Sequence, residues 1–151
     1  MERIRLTGDP LRTAPVREWS ERPADPALRG SFRESLAAAR KAQWNERLDR
    51  ALERLDQFGS ELAERRTLED LKRYRMAVAE LIRDLTSQMV QVRVDLEWDS
   101  HSWEQRTLVT LRRVNEEVER LAQMVLDHEK DRLAILEKLG EIKGLLLDVR
   151  L

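Results

Sequence analysis

The sequence has no cysteine among its 151 residues. That absence removes disulfides, thiol nucleophiles, iron–sulfur clusters and Cys-ligated zinc from consideration. It also favours a reducing compartment, because small extracellular domains commonly depend on disulfides. Aromatic residues are scarce: one Tyr, two Phe and four Trp. A core must therefore be built mainly from Leu, Val, Ile and Ala. Prolines are confined to Pro10, Pro15, Pro23 and Pro26. No apolar run approaches the ~18 residues of a membrane span; the longest run of Leu, Ile or Val is Leu145-Leu146-Leu147. Met1 to Leu11 carries no continuous apolar stretch, so no secretory signal is expected. A cytoplasmic protein that does not enter a membrane is the expectation. Excess charge of one sign is lacking too. The 28 basic and 29 acidic residues leave a net charge of −1, which disfavours a dedicated nucleic-acid binder.

What is present is balanced charge on a helical period. Charged residues make up 38% of the chain, against about 25% in an ordinary globular protein. With so few glycines and prolines, this composition predicts long amphipathic helices with one wet face. The basic residues are mostly Arg, suited to forked intrahelical pairs with carboxylates.

Residues 1–25 read as a flexible, proline-bearing tail, and 26–151 as one helical bundle domain. Asp25-Pro26 resembles a helix start, with Asp as N-cap and Pro in the first turn. A short helix is expected over about 27–41, packed loosely through Phe32, Leu36 and Ala39. A second carries Leu48, Ala51, Leu52, Leu55, Phe58 and Leu62 at three- and four-residue steps. Gly59 inside that pattern predicts a close packing contact or a kink. Thr67 and Asp70 form a variant capping box, opening a third helix through Leu71, Tyr74, Val78, Leu81, Leu85 and Met89. From Val90 to Trp98 apolar and polar residues alternate, which is a strand signal. Either the helix overrides it or the segment is extended and offers an edge to a partner. Ser102, with Gln105, is expected to cap a helix through Leu108, Leu111, Val114, Val118, Leu121 and Val125. From Leu133 to Val149 the apolar face stays in phase, as one long helix kinked near 127–131 or as two. The fold class is all-α: a largely antiparallel bundle of four or five helices.

Catalytic chemistry is poorly represented. Ser100, His101, Ser102 and Asp99 bring together triad residue types, but neighbours in one turn rarely hold the geometry of a triad, and a turn with a cap explains them better. Asp127, His128, Glu129 and Asp131 form a polar cluster that lacks converging ligands from other elements and reads as a solvated face. Neither His has a Glu three residues before it, so the Glu-x-x-His pair of di-iron bundles is missing, as are phosphate-binding loops. No metal, cofactor or catalytic residue is expected.

Three other groups of residues stand out. Trp19, Trp44, Trp98 and Trp103 all lie off the helical core period. Trp98, Trp103 and Trp19 form a candidate partner surface, since Trp is enriched at binding hot spots, and the plainer reading is that the tryptophans close the end of the core. Gly140 and Gly144, four apart, permit close backbone approach, either to a neighbouring helix of the same chain or across a homodimer. Arg65, Arg66, Lys72, Arg73 and Arg75 form a candidate basic patch. A non-catalytic adaptor or scaffold that binds an unknown protein partner is the leading reading. A nucleic-acid-associated factor using the basic patch is its rival, and a small-ligand-binding regulatory bundle needs no motif at all.

Residues 128–149, HEKDRLAILEKLGEIKGLLLDV, and 65–74, RRTLEDLKRY, resemble the signature blocks of the YaaR-like family of uncharacterised bacterial proteins. The resemblance covers roughly residues 27–151 and implies a helical bundle in a bacterial cytoplasm. It implies no activity.

Overall fold

A computed structural model describes residues 26–95 and 100–151. Four helices follow one another: α1 (Pro26–Arg65), α2 (Leu68–Asp95), α3 (Ser100–Leu126) and α4 (Arg132–Leu147). The chain divides into two units at Glu34 and Ser35. In the first, the described residues continue one helix, with Leu28 and Phe32 exposed. The second, 35–151, holds the packed core.

Within that second unit the helices run antiparallel, as the cross-helix ion pairs record. Arg40 meets Asp95, Arg47 meets Asp84 and Arg54 meets Glu80, so α2 descends as α1 ascends. Arg93–Glu104 and Arg75–Glu119 join α2 to α3 in the same sense. Lys143–Asp56 and Arg150–Asp49 set α4 and the C-terminal residues against α1. Most of these pairs are exposed and contribute little stability individually. Burial of the apolar stripes carries the fold.

Those stripes follow the three-and-four spacing of the sequence. Leu48, Leu52, Leu55 and Leu62 of α1 are buried, as are Leu71, Tyr74, Val78, Leu81, Leu85, Met89 and Val92 of α2. Leu111, Val114, Val118, Leu121 and Val125 of α3 face them. Trp44, expected off the core period, instead anchors one end of the core. It is wholly buried, its indole N–H donates to the Val149 carbonyl at 2.9 Å, and its ring meets Trp103 edge-on at 5.6 Å. Beside it the Asn45 amide donates to the Leu151 carbonyl and accepts from the Leu151 N–H, each at 2.8 Å. Two residues of α1 thus hold Val149 and Leu151 at the end of the chain.

The structure corrects some of the sequence expectations and decides between the alternatives left by others. The helices expected at about 27–41 and from Leu48 are one continuous 40-residue helix. Phe32, Leu36 and Ala39 are exposed rather than packed. Gly59 introduces no break: a Cβ there would stand 3.3 Å from both Leu139 methyls, so it is the close contact rather than the kink. The alternating segment is helical through Asp95, with Val92 buried and Val90 and Val94 exposed. Packing of Leu85, Met89 and Val92 at helical spacing overrides the period-two pattern. α3 begins at Ser100, so Ser102 lies in its first turn instead of capping it. The long C-terminal pattern is two helices. The proposed tail, Trp19 and Trp98 lie outside the described residues.

Two caps explain the breaks before α2 and α4. At the first, Asp70 N–H donates to the Thr67 hydroxyl at 3.0 Å, and that hydroxyl donates to the Asp70 carboxylate at 2.7 Å. At the second, Asp131 accepts the Ala134 N–H at 2.9 Å as N-cap of α4. The polar run Asp127–Asp131 is therefore a helix boundary, with Asp127 also accepting the Glu129 N–H at 3.0 Å.

Candidate functional site

α4 is short, 16 residues, and apolar on two sides. Its inward side places Ile135, Ile142 and Leu146 in the core, all fully buried. Its outward side carries Leu133, Leu136 and Leu147, which are 62%, 40% and 43% exposed. Gly140 and Gly144 lie between them, exposed. Steps of three and four residues align these five positions along one stripe. An amphipathic surface helix would carry polar residues there. α4 instead presents leucines with a shallow glycine floor. A Cβ built on Gly140 or Gly144 meets nothing within 4 Å, which corrects the reading that these glycines pack against a neighbouring helix of the same chain. Gly59 fills that role.

The rim of the stripe on the α3 side is ionic. Glu117 is buried and accepts from the Lys138 ammonium at 2.7 Å, with Arg120 also in contact. Lys138 bonds Glu141 as well, at 2.7 Å. The Lys138 hydrogen bond, aided by the charges of Lys138 and Arg120, holds the Glu117 carboxyl below the usual carboxylate range. The same contacts with Glu117 and Glu141 raise Lys138. This cluster fixes α4 on α3 through its polar edge. On the other side, Lys143 meets Asp56 of α1 at 2.8 Å.

The remaining candidate residues are spoken for. Arg65 forms a two-pronged pair with Asp70 (2.9 and 3.0 Å) and also reaches Glu61. Hydrogen bonding from Thr67, then from Arg65, holds buried Asp70 below its ordinary range. Arg73 pairs with Glu69 and Asp70, and Arg75 with Glu119. Arg66 turns inward, in a left-handed conformation with φ of 52°. Its guanidinium donates to the carbonyls of Met124, Val125 and Asp127 at 2.9–3.3 Å, and to that of Lys130. Four of the five candidate basic residues are thus engaged with acids or carbonyls, and Lys72 is exposed. Trp103 is half-buried against Trp44, closing the end of the core rather than forming a free surface. Among the described residues no hydrogen bond joins the side chains of Ser100, His101 and Ser102, and no group of three or more His, Asp or Glu is placed to hold a metal ion. No helix among them is long and apolar enough to cross a membrane.

Known proteins fit the same chain. It is similar to the uncharacterized protein YaaR of Bacillus subtilis (strain 168), 25% identical over 122 residues that span 81% of this chain and 83% of that protein. The crystal structure of the uncharacterized protein BH1478 from Bacillus halodurans superimposes with a TM-score of 0.65 and 28% identity, covering 78% of this chain and 96% of the other. The family described as "Protein of unknown function (DUF327)" matches residues 14–150, and this chain belongs to it.

Proposed function

We propose that the chain is a non-catalytic, cytoplasmic interaction protein that docks a helix of another protein on the outward face of α4. The observation that supports this reading is the exposed stripe of Leu133, Leu136, Gly140, Gly144 and Leu147. Leucines flanking glycines let an incoming helix approach the α4 backbone closely, and exposed apolar surface rimmed by charge is characteristic of interaction sites. Engagement of Arg65, Arg66, Arg73 and Arg75 within the chain favours a protein partner over a nucleic acid.

The test is affinity purification of the tagged full chain from its native host at low salt, beside a Leu133→Asp/Leu147→Asp double variant. A stoichiometric protein should co-elute with the wild type and be lost from the variant. The circular-dichroism melt should stay within a few degrees, because both leucines face outward. A second copy of the chain as occupant would appear as a dimer in sedimentation that the variant dissolves. Binding that persists undiminished in the double variant, or nucleic acid released by salt in place of protein, would overturn the reading.

A further inference from the structure

A cavity of about 240 Å³ lies between α1 and α4 over the ring of Tyr74 from α2. Five leucines line it: Leu52 and Leu55 from α1, and Leu136, Leu139 and Leu146 from α4. Two glycines shape it. Gly59 lets Leu139 and the Tyr74 ring approach α1, where a Cβ would come within 3.3 and 3.6 Å of them. Gly140 leaves open space at the wall. Asp56 and Lys143, paired at 2.8 Å and about half exposed, stand at the rim with Ser60.

Tyr74 is the unusual member. It lines the cavity and is only 2% exposed, and none of the hydrogen bonds among the described residues involves its hydroxyl. An unpaired buried hydroxyl costs on the order of 1–3 kcal/mol, so a site that keeps one calls for a partner. Burial, and then the negative charge of Asp56, keep that phenol protonated far above ordinary pH. It is a permanent donor in an apolar setting.

We propose that this cavity is a binding site for a small, uncharged, apolar molecule carrying one hydrogen-bond acceptor, a carbonyl or ether oxygen, which accepts from the Tyr74 hydroxyl. Size sets the first limit. A cavity of about 150 Å³ admits benzene, so this one holds a ring with a short substituent and falls below the volume of most drug-sized sites. Charge sets the second. An anionic head would be desolvated among leucines and repelled by Asp56. A cationic head would have to displace Lys143 from Asp56. A neutral acceptor meets neither obstacle.

Three near-isosteres separate these terms on the full chain, followed by amide NMR: acetophenone, ethylbenzene and benzoate. Acetophenone should produce saturable shifts centred on the amides of Gly59, Ser60 and Gly140, ethylbenzene weaker ones, and benzoate none. Tyr74→Phe removes only the hydroxyl. It should weaken acetophenone about tenfold, the worth of one hydrogen bond, and leave ethylbenzene within about twofold. Leu136→Trp, which fills the cavity from an exposed position, should abolish both and serves where Tyr74→Phe loses the native spectrum. The proposal fails on scattered or unsaturable shifts, on preferential benzoate binding, on equal loss of acetophenone and ethylbenzene in Tyr74→Phe, or on binding that survives Leu136→Trp.

Discussion

At the scale of single residues, Trp44 and Arg66 show how much of the fold rests on side chains that touch distant backbone. Trp44 fills one end of the core and donates to the Val149 carbonyl. Trp44→Phe removes volume and leaves that carbonyl unpaired, so it should cost about 2–4 kcal/mol by the usual cavity and hydrogen-bond terms, read in chemical denaturation. Arg66 does two opposed things. Its left-handed backbone is unfavourable for a residue with a Cβ, whereas its guanidinium satisfies carbonyls at the end of α3 and in the loop beyond. Ala and Gly at this site separate the two. Arg66→Ala should destabilise by about 1–3 kcal/mol, because it keeps the strain and loses the hydrogen bonds. Arg66→Gly should be about 1 kcal/mol milder, because it relieves the strain. Equal losses would mean the backbone conformation carries no measurable cost.

At the scale of elements, the glycines divide by what surrounds them. Gly140 and Gly144 sit inside an exposed helix with nothing near a prospective Cβ. Alanine at either position should therefore stabilise by about 0.5–1 kcal/mol through helix propensity alone, measurable as a rise in the melting temperature. At Gly59 the same gain is opposed by contact with Leu139 at 3.3 Å. Leu139 borders the cavity and can yield toward it, so Gly59→Ala should fall near zero, whereas Gly59→Val, larger and β-branched, should be clearly destabilising. This pattern also marks what the sequence could and could not disclose. The helical period located α2, the Thr67 cap and the inward stripe of α3, because burial and periodicity are the same signal. It did not reveal that α1 is continuous, since the polar stretch before Trp44 looks like a join between two helices when tertiary neighbours are unknown. Nor did it separate Gly59 from Gly140, because a glycine's role depends on the neighbouring helix. The cavity was equally hidden, since Asp56, Tyr74 and Lys143 come from three helices and share no local motif.

At the scale of the whole molecule, pH should act on stability from both sides through different parts of the bundle. Asp70 and Glu117 are held below their ordinary ranges by hydrogen bonds from Thr67 and Lys138 respectively, together with nearby cations. The unfolded chain then binds protons before the folded one does, so their stabilising contribution is complete above the unfolded carboxylate values of about 4 and is lost as pH falls through the lower folded values. Tyr74, raised by burial and Asp56, and Lys138, raised by Glu117 and Glu141, act in the opposite sense. Their contribution is complete below the unfolded values near 10 and is lost as pH rises toward the folded ones. The free energy of unfolding measured across pH should therefore show a plateau between about 5 and 9 with a decline on each side. Glu117→Gln should flatten the acid decline while lowering the plateau, because Lys138 loses its buried partner. Tyr74→Phe should flatten the alkaline decline and leave the plateau unchanged or higher, because it deletes a hydroxyl that no protein group satisfies. If Tyr74→Phe lowered the plateau with the alkaline limb intact, the hydroxyl would be satisfied within the folded chain. Its role in the cavity would then be that of a wall rather than a donor.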